Sequence, residues 1–297
     1  MHAVVVVAAL ASLALAGPAP IVAKQSLQAL STAQIAALRP FTLFASAGYC
    51  SAKTTATWTC GANCNALPGF LPTASGGDGS VTQFWFVGFH PPLNSVIVAH
   101  QGTDPDKIIP LLTDGAFALV PLNSTLFPAA PAGVQVHEGF RNSHATSAAA
   151  ILSAVQRTLT AHSGASVTFA SHSLGAALGL LDALFLRPHF PASTRFKFVG
   201  YGVPRIGNAA FANFVDANLP DFTRVNNQQD PVPIIPGRFL GYKHPSGEVH
   251  ISEQEQWLVC PGQDSTAVGC IIQTEPTIFD GDINNHDGPY DNIHIGC

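Results

Sequence analysis

A serine becomes a nucleophile only where the backbone lifts its hydroxyl clear of its neighbours and donors await the negative charge that attack creates. Ser173 has the sequence for such a place. In residues 167–181 a β-branched and aromatic run ends at Ser171, and an Ala- and Leu-rich helix-forming run begins just after Ser173. Almost nothing lies between them to serve as a loop, so the chain must turn sharply at the serine. Its hydroxyl then projects from the carboxyl end of a strand and the amino end of a helix, where N–H groups and the helix dipole favour negative charge. Close crossing of strand and helix needs small residues, and Ser171, Gly175, Ala176 and Gly179 supply them. The pattern is Gly-x-Ser-x-Gly with Ser171 in the first glycine's place. The alternative is an ordinary strand-to-helix connection with a chance serine.

Such a serine needs a histidine base held in one tautomer by a carboxylate, and in sheets of this type the order is serine, acid, histidine. Asp182 lies inside the helix after the turn, and Asp216 and Asp221 flank the end of another. Asp230 differs: it follows a strand-like run at 222–226 and precedes the proline-stiffened stretch 231–236. That places it on a loop beyond a strand's carboxyl end, where sites of open α/β sheets collect. Among histidines, His172 leaves the turn in another direction from Ser173. His244 and His250 read as sheet-edge or turn residues beside a strand at 247–251. A His244, Glu248, His250 metal site lacks a helical pair of ligands in its support and is not favoured. His294 is tethered near Cys297. His286, in the polar loop 284–290, is the candidate base. Upstream, a strand runs into Gln101-Gly102-Thr103, and Thr103 with the N–H of Leu174 would form an oxyanion hole.

Several elements must position these groups. Runs at 81–89 and 95–100, joined by Pro91-Pro92-Leu93-Asn94, predict a hairpin; further strands are expected at 167–170, 196–201 and 222–226, and helices at 143–162, 174–186 and 208–219. This alternation predicts a single α/β domain over 46–297, its mixed, mostly parallel sheet antiparallel at the early edge and parallel around the serine. Residues 18–40 carry a helical pattern ended by Pro40, within a segment at 17–45 that is a propeptide or a helix lying on the domain. Residues 104–120 bracket Ile108, Ile109, Leu111, Leu112 and Phe117 with charges and are broken by Pro110 and Gly115. They read as an amphipathic flap over the serine, the alternative being a surface helix on the core.

Composition sets the outer limits. Of 297 residues 47% are hydrophobic and 10% charged, enough to fill a sizeable core. A net charge of −5, with 13 dispersed Lys and Arg, argues against a nucleic-acid partner. The apolar run at 3–15 closes on Ala14-Leu15-Ala16 and then Gly17-Pro18, which predicts a secretory signal over 1–16. It is shorter than the roughly 20 residues of a spanning helix. Six cysteines in an exported chain then predict three disulfides; Cys60 with Cys64 and Cys260 with Cys270 are natural short loops, leaving Cys50 with Cys297. Asn123-Ser124-Thr125 is a glycosylation sequon.

Gln101-Gly102-Thr103, Val136-His137-Glu138-Gly139-Phe140, Ser171-His172-Ser173-Leu174-Gly175, Tyr201-Gly202-Val203-Pro204-Arg205, Asp230-Pro231-Val232-Pro233, His244-Pro245 and His286 together resemble the secreted filamentous-fungal lipases, class 3 lipases of the α/β-hydrolase fold. The resemblance implies Ser173 as nucleophile, Asp230 as acid, His286 as base, Thr103 and Leu174 at the oxyanion hole, a lid from Asp104 to about Leu119, and the same three cysteine pairs. It implies a monomer hydrolysing acylglycerols at a lipid–water interface through an acyl-enzyme, with no cofactor or metal. Two positions depart from the family: Ser171 for glycine, and Gln101 where many relatives carry Arg. The rivals are a feruloyl or short-acyl esterase on the same scaffold, which the large apolar residues of 108–117 oppose, and an inactive lipid-binding module.

Overall fold

The computed structural model describes residues 27–103 and 117–297, with Met1. The expected signal sequence, apart from Met1, and residues 104–116 of the flap expected over 104–120 lie outside the described residues; the end of that stretch is not flap, since Leu119 and Val120 belong to a short strand, Leu119–Pro121.

Strands form where β-branched and aromatic residues run together, and among the described residues they build two sheets. The larger follows the order β1 (Gln28–Ala29), β13 (Trp257–Cys260), β12 (Glu248–Ile251), β10 (Phe222–Asn227), β8 (Phe196–Tyr201), β7 (Ser166–His172), β4 (Ser95–His100), β3 (Trp85–His90) and β2 (Leu71–Gly76). The five central strands, β12 to β4, are parallel. Both flanks are antiparallel. Side chains alternate across a strand, so each central strand serves two cores. Val96, Val98, Val167, Phe169, Phe196 and Phe198 pack on one face, while Ile97, Ala99, Ala170, Val199 and Tyr201 pack on the other. The first face is covered by a long helix, Glu138–Ala161, and by the serine helix, Ser173–Leu186, every residue of which is buried. No helix among the described residues is long and apolar enough to cross a membrane.

Several expectations need correcting. The strand expected from residue 81 begins at Trp85, because the Asp78 carboxylate takes the N–H groups of Ser80, Val81 and Thr82 and folds them into a turn. Pro40 does not end a helix; it lies inside Thr32–Ala47, which starts at a capping box between Ser31 and Gln34. An internal proline costs about 3 kcal/mol. The turns beyond it bury Phe41, Phe44, Ala45 and Ala47, and that burial outweighs the cost. Leu27 and Leu30 sit outside this helix, around the short β1. His250 is not at a sheet edge: β12 lies between β10 and β13, and the residue is fully buried. A second sheet of β5 (Leu119–Pro121), β6 (Gln135–His137), β9 (Gly207–Asn208) and β11 (Tyr242–Lys243) has strands of two or three residues, too short for periodicity to register.

Candidate active site

Ser173 stands where β7 gives way to the serine helix with no residue between. Its φ is +58°, in the left-handed region that an L-residue occupies only under strain. Ser171 fits the first glycine position because its hydroxyl joins the sheet's hydrogen bonding. Its Oγ accepts the backbone N–H of His100 at 2.9 Å, continuing the β4–β7 ladder with a side-chain atom. Gly175 is required for a different reason, since a Cβ there would run into the carbonyl oxygens of His100 and Gln101. Gln101, the other departure, closes the hairpin edge: its Oε1 accepts the Phe84 N–H at 3.1 Å.

Asp230 leaves the end of β10 and uses both carboxylate oxygens. Oδ1 accepts the Val232 N–H at 2.9 Å, and Oδ2 meets His286 Nδ1 at 2.9 Å. Both residues are fully buried. The bond places the proton of a neutral His286 on Nδ1 and leaves Nε2 with its lone pair free. Gly202, at the end of β8 with φ +53°, makes room for the pair; a Cβ there would stand 2.7 Å from His286 Cε1. His286 is also fixed through its backbone. Its carbonyl accepts the Tyr290 hydroxyl at 3.0 Å and His172 Nε2–H at 2.8 Å. His172 Nδ1 is then an acceptor, taking the Tyr49 hydroxyl at 2.6 Å. Burial, then the neighbouring His286, hold His172 well below its ordinary pKa, so it stays neutral and keeps this tautomer. His172, set aside as a base, thus links the serine turn to the His286 loop. Sequence reasoning missed Tyr49 and Tyr290, whose only signal was their proximity to Cys50 and His286.

Ser173 Oγ, His286 Nε2 and Thr103 Oγ1 are among the buried side-chain atoms of the described residues that lack a hydrogen-bond partner; others, such as those of Asn226 and His250, lie elsewhere in the chain. Buried polar atoms are normally satisfied, so orphans call for a reason. The first three are an alcohol oxygen, a basic nitrogen and a hydroxyl donor, the atoms that nucleophilic attack on a carbonyl requires. Thr103 and Leu174 line one cleft with Gln101, Gly102, His137 and Phe140. The structure joins Asp230 to His286; it does not hydrogen-bond Ser173 to His286.

The remaining candidates are spent elsewhere. His244 Nε2 donates to the Pro233 carbonyl at 2.7 Å, and Glu248 takes Arg224 at 2.7 Å and the Ile271 N–H at 2.8 Å. Glu248 also approaches Cys260 and Cys270, but these sulfurs are bonded to each other. The other bridges are Cys50–Cys297 and Cys60–Cys64.

These buried histidines give stability a pH dependence. Burial lowers His250 from 6.5 to about 4, and holds His244 and His172 well below their usual range. The unfolded chain takes up protons near 6.5, whereas folded His250 resists until about 4, so stability present above pH 6.5 is lost as pH falls through that window. Glu275, raised by burial to about 7, acts in the opposite sense but is one group against five, since burial also lowers His90 and His137. We expect the melting temperature to drop between pH 7 and pH 5, with His250→Gln reducing the slope. A flat or rising profile in calorimetry would contradict this.

A sheet with a parallel centre, a strained serine between strand and helix, and a buried Asp–His pair beyond later strands define the α/β-hydrolase class. The family model for class 3 lipases matches residues 97–240. The secreted mono- and diacylglycerol lipase MDL2 of Malassezia globosa is 34% identical over 205 residues, 68% of this chain and 66% of that protein. LIP1 of the same organism, also a secreted mono- and diacylglycerol lipase, is 32% identical over 212 residues, covering 70% and 68%. The lipase of Rhizopus microsporus var. chinensis superposes with a TM-score of 0.78 at 25% identity over 93% of each chain. A triacylglycerol lipase with a serine-protease triad shares the fold at TM-score 0.78 and 23% identity, over 91% of this chain and 98% of that one. This chain belongs to the class 3 lipase family.

Proposed function

We propose that the chain is a secreted serine hydrolase of acylglycerols, with the mono- and diacylglycerols named for its Malassezia relatives as first substrates. The observation that carries this reading is that Ser173 Oγ, His286 Nε2 and Thr103 Oγ1 are left buried and unpartnered while Asp230 holds the other ring nitrogen of His286. Ser173 Oγ attacks the acyl carbonyl while His286 Nε2 takes its proton, and Asp230 stabilises the imidazolium. The oxyanion forms against the Leu174 N–H and Thr103. Collapse expels the glycerol oxygen, which receives the proton from His286, and water repeats the sequence on the acyl-enzyme. Export and glycosylation at Asn123 belong to the same reading. Asn123 begins a surface turn, its Oδ1 accepting the Thr125 N–H at 2.9 Å.

A lipid substrate is favoured by a groove of about 900 Å³ just downstream of Asp230, lined by Ile234, Ile235, Leu240 and Ile278. Two phenylalanines on its rim, Phe239 and Phe279, are 89% and 91% exposed. Aromatic rings left in water at a groove mouth suit contact with lipid. On emulsified diacylglycerol, Phe239→Ser with Phe279→Ser should lower activity by about tenfold or more, and turnover of a soluble short ester should stay within about twofold. Should the unaltered protein prefer soluble short esters to emulsions, the esterase reading replaces this one.

A further inference from the structure

Behind the serine, a buried carboxylate has no part in the chemistry described so far. Asp182 lies about two and a half turns into the serine helix and is fully buried. Its Oδ2 meets His100 Nε2 at 2.6 Å. Its Oδ1 lies 3.0 Å from His144 Nε2 of the long helix, outside hydrogen-bonding angle but at charge-pair distance. Burial alone would raise the pKa of Asp182; the His100 hydrogen bond and the close approach of His144 hold it below the ordinary value, so the carboxylate is ionised. A buried ion pair is weak support for stability, because well-packed apolar residues of similar volume often serve as well or better. Its position explains more.

His100 is the last residue of β4, and the next three are Gln101, Gly102 and Thr103. The segment carrying Ser173 grips it on three sides. Ser171 Oγ accepts its N–H, Gly175 lets its carbonyl pack against the serine helix, and Asp182 holds its ring. Oxyanion stabilisation depends on donors fixed in place before charge develops, and here one comes from the strand, Thr103, and the other from the helix, Leu174. We propose that Asp182, through His100 and braced by His144, is a positioning residue that sets the register of the Thr103 loop against the serine helix and so shapes the oxyanion hole. This rests on the hydrolase reading above.

The test uses the whole secreted protein, a soluble short-chain ester and phenylboronic acid, which adds to the serine as a tetrahedral anion. Asp182→Asn keeps the volume and removes the charge. The expected result is a kcat reduced about tenfold or more, a KM within about twofold, and boronate binding weakened in parallel with kcat. His100→Gln, which can still donate to Asp182, should recover most of what His100→Leu loses; that pair serves equally if Asp182→Asn does not fold. Asp182→Asn or His100→Leu protein with wild-type kcat and boronate affinity, whatever its melting temperature, overturns the positioning role alone. A wild-type protein that neither turns over ester nor binds boronate overturns the hydrolase reading and this one with it.

Discussion

Ser173→Ala is expected to lower kcat on a soluble ester by about 10⁴-fold or more, with KM near the wild-type value and the fold unchanged. The removed atom is the buried, unpartnered Oγ, so no hydrogen bond is broken and no donor is orphaned by its loss. The backbone should not relax either: alanine carries a Cβ as serine does and meets the same left-handed strain at φ +58°. The melting temperature should therefore stay close to that of the unaltered protein. An organophosphorus probe gives an independent readout, and peptide mapping should place the label on Ser173 in wild type and nowhere in the variant. Turnover by Ser173→Ala within a few fold of wild type would remove the basis of the proposed activity.

The second large effect concerns the bridge from Cys50 to Cys297, whose sequence separation is 247. Cross-linking so long a loop restricts the unfolded chain strongly; loop-closure entropy puts the contribution at about 5 kcal/mol, against about 2 kcal/mol for a loop as short as Cys60–Cys64. A double Cys50→Ala, Cys297→Ala variant should lose a sizeable part of a total stability of roughly 5–15 kcal/mol. Native contacts at the same place remain to oppose the loss, since the Gly296 carbonyl accepts Ser46 Oγ at 2.8 Å and Asn63 Nδ2 at 2.7 Å. The site is involved because His286 lies beyond β13, the last strand of the described residues, and is held by loops and side chains. Urea unfolding of the double variant against a Cys60→Ala, Cys64→Ala protein checks the ranking. Equal midpoints would mean that the long bridge adds nothing.

What sequence reveals follows the range of the interactions involved. The strand–serine–helix stretch is legible because its signals are local: a β-branched run, small residues, an apolar helix. Asp230 and His286 are reachable through loop chemistry and chain order, and they are the residues the structure pairs. Asp182 shows the limit of the same reasoning. Setting it aside as a mid-helix residue is sound for a triad acid, yet its partners His100 and His144 come from a strand and a helix remote in sequence. Pro40 shows how packing overrides propensity, since the bulk of Phe41 and Phe44 against the sheet keeps the helix going. The role of Ser171 was hidden for a related reason: residue type reports its size, but only strand pairing reveals that its hydroxyl replaces a backbone acceptor.

The two ends of the large sheet have a consequence for how this protein behaves when concentrated. An open lateral strand offers unpaired amides to any neighbouring molecule and invites stacking into polymers. On one side β13 is zipped shut by only Gln28–Ala29, and on the other β2 carries Pro72 and a register shift between Pro72 and Ala74 that blunt it. Trimming the chain past residue 30 would leave the proposed catalytic residues in place and uncover the first of these rims. Shelf life and solubility would fail before activity did.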